Sequence, residues 1–365
     1  MGEHGLQVGT PEIASVGPVT FGPDGILFVA DNVRATILAI DVDDHGDAGE
    51  AEAFDLEGLD TKLAAFLGCE VDDVTLRDLA VHPRSHHVYL SVMRGRGNDA
   101  MPVIVRIDHR NGEIADVPLV DIAFSSVDVT DAIPADDERT DVQFADPPDG
   151  EEVEIRGHTL RFARPPARSA TVTDMAYLDG ELVVAGMSNE EFSSTLRRIP
   201  FPFTGEVADT SLEIFHVSHG KWETAAPIRT FVPYDDGRSV LASYTCTPLV
   251  HFPLADLAPG EQATGRTVAE LGAMNQPLDM VTFTQQGDEY LLVAHSTHPL
   301  MKIACADIDT QDALTEPQEP RGVPRDTIDV PGVKRLANLN GEYVLALQRD
   351  ADGARHLRSL KTASL

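Results

Sequence analysis

Lysine is almost missing from this chain. It stands only at 62, 221, 302, 334 and 361, while arginine supplies the rest of the 28 basic residues against 60 acidic ones. The formal net charge of −32 argues against a nucleic-acid surface, which needs a basic stripe, and against docking on anionic lipid. Cysteine is also scarce. Cys69, Cys246 and Cys305 are odd in number, far apart and without a CxxC pair, so neither a disulfide framework nor a zinc knuckle is indicated. No apolar run approaches the roughly 18 residues of a membrane span. The start Met1-Gly2-Glu3-His4-Gly5 lacks a basic segment followed by an apolar one, so a cytoplasmic protein is expected if Met1 is the native start. An exported one whose leader was removed would read the same. There is no GxSxG, P-loop, GxGxxG or HExxH.

What is present begins with acidic runs such as Asp41-Val42-Asp43-Asp44 and Ala135-Asp136-Asp137-Glu138. They fit a halophilic, salt-adapted surface whose self-repulsion is screened by cations, or an acidic protein from a GC-rich genome. An apolar content of 42% is enough for a core.

The strongest signal is a repeat. A short apolar strand, a Gly-type turn, a more apolar strand, a polar loop and a third strand recur at 18–42, 78–108, 174–201, 230–254, 279–304 and 335–360. Asp24-Gly25, Asp179-Gly180, Asp236-Gly237 and Asn340-Gly341 supply hairpin turns. Fourth strands are expected at 51–56, 114–122, 212–217, 267–271 and 327–330. The pattern predicts an all-β, six-bladed β-propeller of four-stranded antiparallel blades in one domain. The ring is expected to be closed by the N-terminal strand, residues 6–16 completing the last blade, since an open ring would expose sheet edges. A helical insertion at 57–77 and an acidic loop or hairpin insertion at 123–173 are expected on one face, where they can cover the channel mouth.

Propeller topology gathers three classes of residue on that rim. The strand entries Asp78, Asp174 and Asp279 present carboxylates that can hold a divalent metal, Ca²⁺ or Zn²⁺, or can instead pin their strand starts by accepting backbone N–H groups. The loops after the second strands offer Asn32, Arg94, Asn189, Glu190 and Cys246 as substrate contacts, with His295 and His298 nearby. The connection before the fourth repeat holds the only Trp, Trp222, flanked by His219 and Glu223. Trp222 can stack on a ligand, or can cap the core between blades. His86-His87 fall on the opposite face and are expected to be solvent-exposed.

The unit VTFGPDGILFVAD (19–31) resembles the repeat of NHL and SMP-30/gluconolactonase/LRE-like propellers. The stretches RDLAVHPRSHHVYLSVMRGRG, AGMSNEEFSSTLRRIPFPF and ASYTCTPLVHFP also look like a less characterised group of microbial propellers. The first resemblance implies a metal-dependent hydrolase of the lactone or ester class. Here Pro18 stands where that family shows Glu, and Asp174 or Asp279 match its Asp.

Two readings follow, with a weaker third. In one, Asp78, Asp174 and Asp279 with Asn189 hold a cation that polarises a carbonyl, and His219, Glu223 or His298 carries the proton. In the other, the propeller is non-catalytic and binds a small-molecule ligand or a protein partner on the same face. The third is a copper or redox site at Cys246 with His295 or His298.

Overall fold

The computed structural model describes residues 3–365 except 48, 50, 51, 147, 148, 156, 246, 273, 319 and 320. The Asp-Gly turns form as the local chemistry requires. Asp24 and Gly25 have φ of 53° and 79°, and Asp179 and Gly180 have φ of 46° and 90°, the left-handed pair that matches the twist of a hairpin. The second strands that follow, Ile26–Asp31 and Ser239–Tyr244, are buried throughout. They are therefore covered on both faces, as their unbroken apolar character demands.

Six sheets result. The second is Val74–Val81, Val88–Arg94, Met101–Ile107 and Ile114–Asp116. The third is Asp174–Leu178, Glu181–Met187, Ser194–Pro200 and Ala208–His216. The fourth is Ile228–Tyr234, Ser239–Tyr244, Pro248–Pro253 and Arg266–Glu270; the fifth is Pro277–Gln285, Asp288–His295, Leu300–Ala304 and Asp326–Ile328. The sixth is Val333–Asn338, Tyr343–Arg349 and Arg355–Lys361. The first depends on a distant segment. Val19–Phe21, Ile26–Asp31 and Thr36–Asp41 are followed in the sheet by Ile122–Asp128, and then by Gln7–Gly9. Antiparallel sheets packed face to face around inner strands make the chain an all-β propeller.

The order of sheets around the ring is not the order along the chain. The alternating side chains of Ile26–Asp31 show this directly. Ile26, Phe28 and Ala30 pack with Met175, Leu182 and Val184 of the third sheet. Leu27 and Val29 pack with Tyr89, Met93 and Ile104 of the second. The first sheet thus sits between the second and the third. Further clusters join third to fourth, fourth to fifth, fifth to sixth and sixth back to second. The cycle is second, first, third, fourth, fifth, sixth.

Closure therefore differs from the expected one. Residues 6–16 do not complete the last sheet: Gln7–Gly9 pairs with Ile122–Asp128, which already offers a free edge on the first sheet. Of the expected strand 51–56, residues 52–56 likewise do not extend the first sheet, and residue 51 lies outside the described residues. Leu56 exchanges both backbone hydrogen bonds with Leu357, at 3.0 and 2.9 Å, and so adds to the outer edge of the sixth sheet. Phe54 and Leu59 bury themselves among residues of the second and sixth sheets. A segment between the first and second sheets can do this because the second sheet neighbours the sixth.

Helix Leu59–Leu67 follows, ended by Gly68 at φ 67°, and its Leu59 and Leu63 join the same core. Within 129–173 a small sheet forms from Gln143–Phe144, Glu151–Ile155 and His158–Ala163. His86 and His87 depart from expectation. Both lie in the turn before Val88–Arg94, where His86, at φ 56°, is half-buried and His87, held by Asp44 at 2.9 Å, is only 9% exposed.

Candidate functional site

At the hub the three entry carboxylates alternate around the ring, one on every second sheet. Each bonds to the inner strand of the next sheet. Asp78 Oδ2 accepts Val19 N–H at 2.9 Å, Asp174 Oδ2 accepts Phe231 N–H at 2.8 Å, and Asp279 Oδ2 accepts Leu336 N–H at 2.8 Å. Asp174 and Asp279 also cap their own strands, accepting the N–H of Met175 and Met280 at 2.8 Å through Oδ1. Burial raises all three carboxyls. Asp174 is pushed up to about 7, by burial first and the Asp78 charge second. For Asp279 burial and the charges of Asp78 and Asp174 outweigh Arg335, and it titrates well above its ordinary value.

Arg335 lies among them. Its Nε is 3.3 Å from Asp78 Oδ1, and its guanidinium donates to the carbonyls of Arg77 at 2.9 Å and Leu278 at 2.9 Å. The 129–173 segment reaches residues at three other sheets. Asp141 accepts a bidentate pair from Arg229 at 2.6 and 2.8 Å, Phe144 N–H donates to Gln276 Oε1 at 3.0 Å, and Asp146 accepts from Lys334 at 2.8 Å. Burial works against the Asp141 anion, but Arg229 outweighs it and holds the carboxyl below its ordinary range. At the hub, then, the carboxylates are stapled to backbone across sheet boundaries.

A second constellation lies where the last strand of the third sheet turns back. Ala208–His216 pairs with Lys221–Glu223, His216 opposite Lys221 and Phe215 opposite Trp222. The turn closes through Gly220 N–H donating to the His216 carbonyl at 2.8 Å. Diagonal neighbours on one hairpin face meet, which brings Glu223 to His216. Glu223 Oε2 is 2.9 Å from His216 Nδ1, and Oε1 is 2.7 Å from His219 Nδ1 and 3.2 Å from Lys221 Nζ. On its other side His216 Nε2 stands 3.1 Å from Oε1 of Glu270, a fully buried carboxylate at the end of the fourth sheet. Burial opposes the Glu223 anion, yet contacts from His216 and His219 hold its carboxyl at about 2.

Donor atoms of His216, His219 and Glu223 all lie within 4.8 Å of one another. Among the described residues one other group, His87, Asp108 and His109, meets that condition. Asp78, Asp174 and Asp279 belong to neither. Two imidazoles and a carboxylate suit zinc and its neighbours, and three protein ligands leave a position for water. His219, 45% exposed, gives the site its opening to solvent.

The remaining candidates scatter. Asn32 clamps the first sheet to the third, exchanging bonds with Val172 N–H and carbonyl at 2.8 and 2.9 Å. Asn189 accepts from Arg139 at 2.6 Å. Glu190 is exposed, and Arg94 is half-buried. Trp222, 45% exposed, sets its ring edge-on to Phe215 at 5.3 Å, on the hairpin face away from Glu223. His298 lies 6.1 Å from His295, whose Nδ1 already meets Asn275 at 2.8 Å. Cys246 lies outside the described residues. Sequence reasoning singled out His219 and Glu223 but missed His216 and Glu270. The spacing H-x2-H-x3-E over 216–223 was a usable sign of the former, and nothing near residue 270 pointed to the latter.

No protein-family model matches the chain, and no curated protein matches it. Solved structures similar to it include the PQQ-bound aldose sugar dehydrogenase from Streptomyces coelicolor, 12% identical over 99% of each chain, with TM-score 0.37. The Swd1 β-propeller domain from Myceliophteria thermophila is 11% identical over 95% of this chain and 84% of that one, with TM-score 0.40. The U3-55K structure is 9% identical over 97% and 98%, with TM-score 0.41. Likeness at this level carries no substrate or partner across.

Proposed function

We propose that the chain is a divalent-metal-dependent hydrolase of small esters or lactones, acting at the rim between the third and fourth sheets. The observation that carries this reading is the compact His216, His219, Glu223 donor set, with the buried Glu270 behind His216. A carboxylate behind a ligating imidazole fixes its orientation and raises its basicity. His216, His219 and Glu223 would hold a cation there, which would supply a bound water of lowered pKa and polarisation of a substrate carbonyl. Lys221, beside Glu223, balances part of the negative charge when no substrate is bound. The ester or lactone class rests on the repeat's resemblance to SMP-30/gluconolactonase-like propellers.

The test is metal content and turnover together. The purified chain, treated with chelator and reloaded with Zn²⁺, Mn²⁺ or Ca²⁺, is assayed on an aryl ester and a γ-lactone. Turnover that needs added metal, and falls at least about a hundredfold in His219→Ala with loss of one metal equivalent, is the expected result. Undiminished turnover in metal-free protein sinks the hydrolase reading. Metal binding without turnover on either substrate leaves a propeller that binds a ligand or a protein partner.

A further inference from the structure

Asp44 arrives from the loop after Thr36–Asp41 and is 8% exposed. Its Oδ2 accepts from Ser85 Oγ at 2.7 Å, Tyr89 OH at 2.9 Å and His87 Nδ1 at 2.9 Å, and its Oδ1 accepts Gly46 N–H at 3.1 Å. Two hydroxyls, an imidazole and a backbone N–H thus converge on one carboxylate. Surrounded by donors, Asp44 acts as the acceptor, which places the His87 proton on Nδ1. In the neutral ring Nε2 then holds a bare lone pair. That atom is buried, has no hydrogen-bond partner, and faces Asp108 Oδ2 at 3.5 Å, too long for a hydrogen bond.

Asp108 is prepared for a second role. Its Oδ1 accepts Arg110 N–H at 2.8 Å within the turn that joins Met101–Ile107 to Ile114–Asp116, which leaves Oδ2 toward His87. The next residue, His109, is 8% exposed, and its Nδ1 is buried without a hydrogen-bond partner. A lone pair aimed at a carboxylate is repulsive, and two orphaned imidazole nitrogens beside it are costly to bury. A cation between them removes both difficulties at once. A doubly protonated His87 bridging Asp44 and Asp108 removes only one and leaves His109 unexplained.

We propose that His87 Nε2, His109 Nδ1 and Asp108 Oδ2 form a second divalent transition-metal site, on the turns of the second sheet. Asp44 is the outer-shell carboxylate that orients His87. The site ties the 82–87 turn to the 108–113 turn, and it is separate from the rim hairpin that carries the hydrolase reading.

Cobalt titration separates the two sites. The full chain carrying His219→Ala, stripped with chelator, is titrated with Co²⁺ and followed by visible absorption and by bound metal per chain. One equivalent with a visible band is expected. His109→Ala in that background abolishes it, and Asp108→Asn, at a partly exposed position, does the same if the alanine variant misfolds by circular dichroism. Asp44→Asn weakens binding about 10- to 100-fold. No bound Co²⁺ in the His219→Ala chain overturns the inference, as does binding that survives both His109→Ala and Asp108→Asn. Turnover that follows His219 but not His109 leaves the rim reading standing by itself.

Discussion

Replacing Asp174 by Asn tests whether the hub carboxylates are protonated staples. The carboxyl rises from 3.8 to about 7 in the folded chain. Between those values the native state holds a proton that the unfolded state has released, so stability falls as pH rises. Its contribution is complete below pH 3.8 and gone once pH passes 7. From pH 5 to pH 8 this amounts to a loss of about 2–3 kcal/mol attributable to Asp174. Asn cannot titrate, so the variant lacks that loss. It starts lower, because an amide oxygen serves only one of the two N–H groups, Met175 and Phe231, that the carboxylate accepts. The orphaned donor costs about 1–3 kcal/mol. Urea unfolding at pH 5, 6, 7 and 8 in high salt measures both curves. They should converge or cross near pH 7. Parallel curves, displaced by the same amount at every pH, would refute the claim that Asp174 takes up a proton on folding.

Two other perturbations address the frame. Arg197 is fully buried, donates to both oxygens of Asp131 at 2.9 and 3.0 Å, and reaches the carbonyls of Thr171 and Met187 at 2.8 and 2.9 Å. Arg197→Met should cost about 3–5 kcal/mol in urea unfolding, because a partly buried carboxylate and two carbonyls lose their partner. A cost below 1 kcal/mol would contradict the contacts described. Phe54→Ala, at a 5%-exposed position in the closing segment, should cost about 3–5 kcal/mol. Paired with Leu357→Ala it should show coupling beyond about 0.5 kcal/mol; strict additivity would argue against closure at that seam.

The propeller was readable because its signals are local. Asp-Gly turns, unbroken apolar second strands and polar loops recur within a few dozen residues, and each dictates its own conformation. The order of sheets was not readable. The stretches 52–56 and 122–128 are both short outer segments, and neither encodes which sheet it will join. That choice is made by inter-sheet packing, by Phe54 and Leu59 on one side and Val127 on the other. The hub carboxylates were legible as a recurrence, and their bonding to backbone follows the alternative that recurrence itself suggested. The rim hairpin was half legible, since His219 and Glu223 lie close in sequence while Glu270 arrives from another sheet. The His87 environment was hidden because Asp44 and His109 come from separate turns.

The detour of the first sheet has a topological consequence. Its outer strand is delivered only after the second sheet has been traced, and the sixth is edged by a segment lying between them. Neither of the two opening modules is therefore a detachable unit. A cut between residues 57 and 77 would part Thr36–Asp41 from Ile122–Asp128, the strand it pairs with in the first sheet. Shuffling or grafting schemes that treat each successive sequence repeat as an independent cassette should fail here, since even a boundary near residue 173 would separate Leu56 from Leu357 and Asp141 from Arg229.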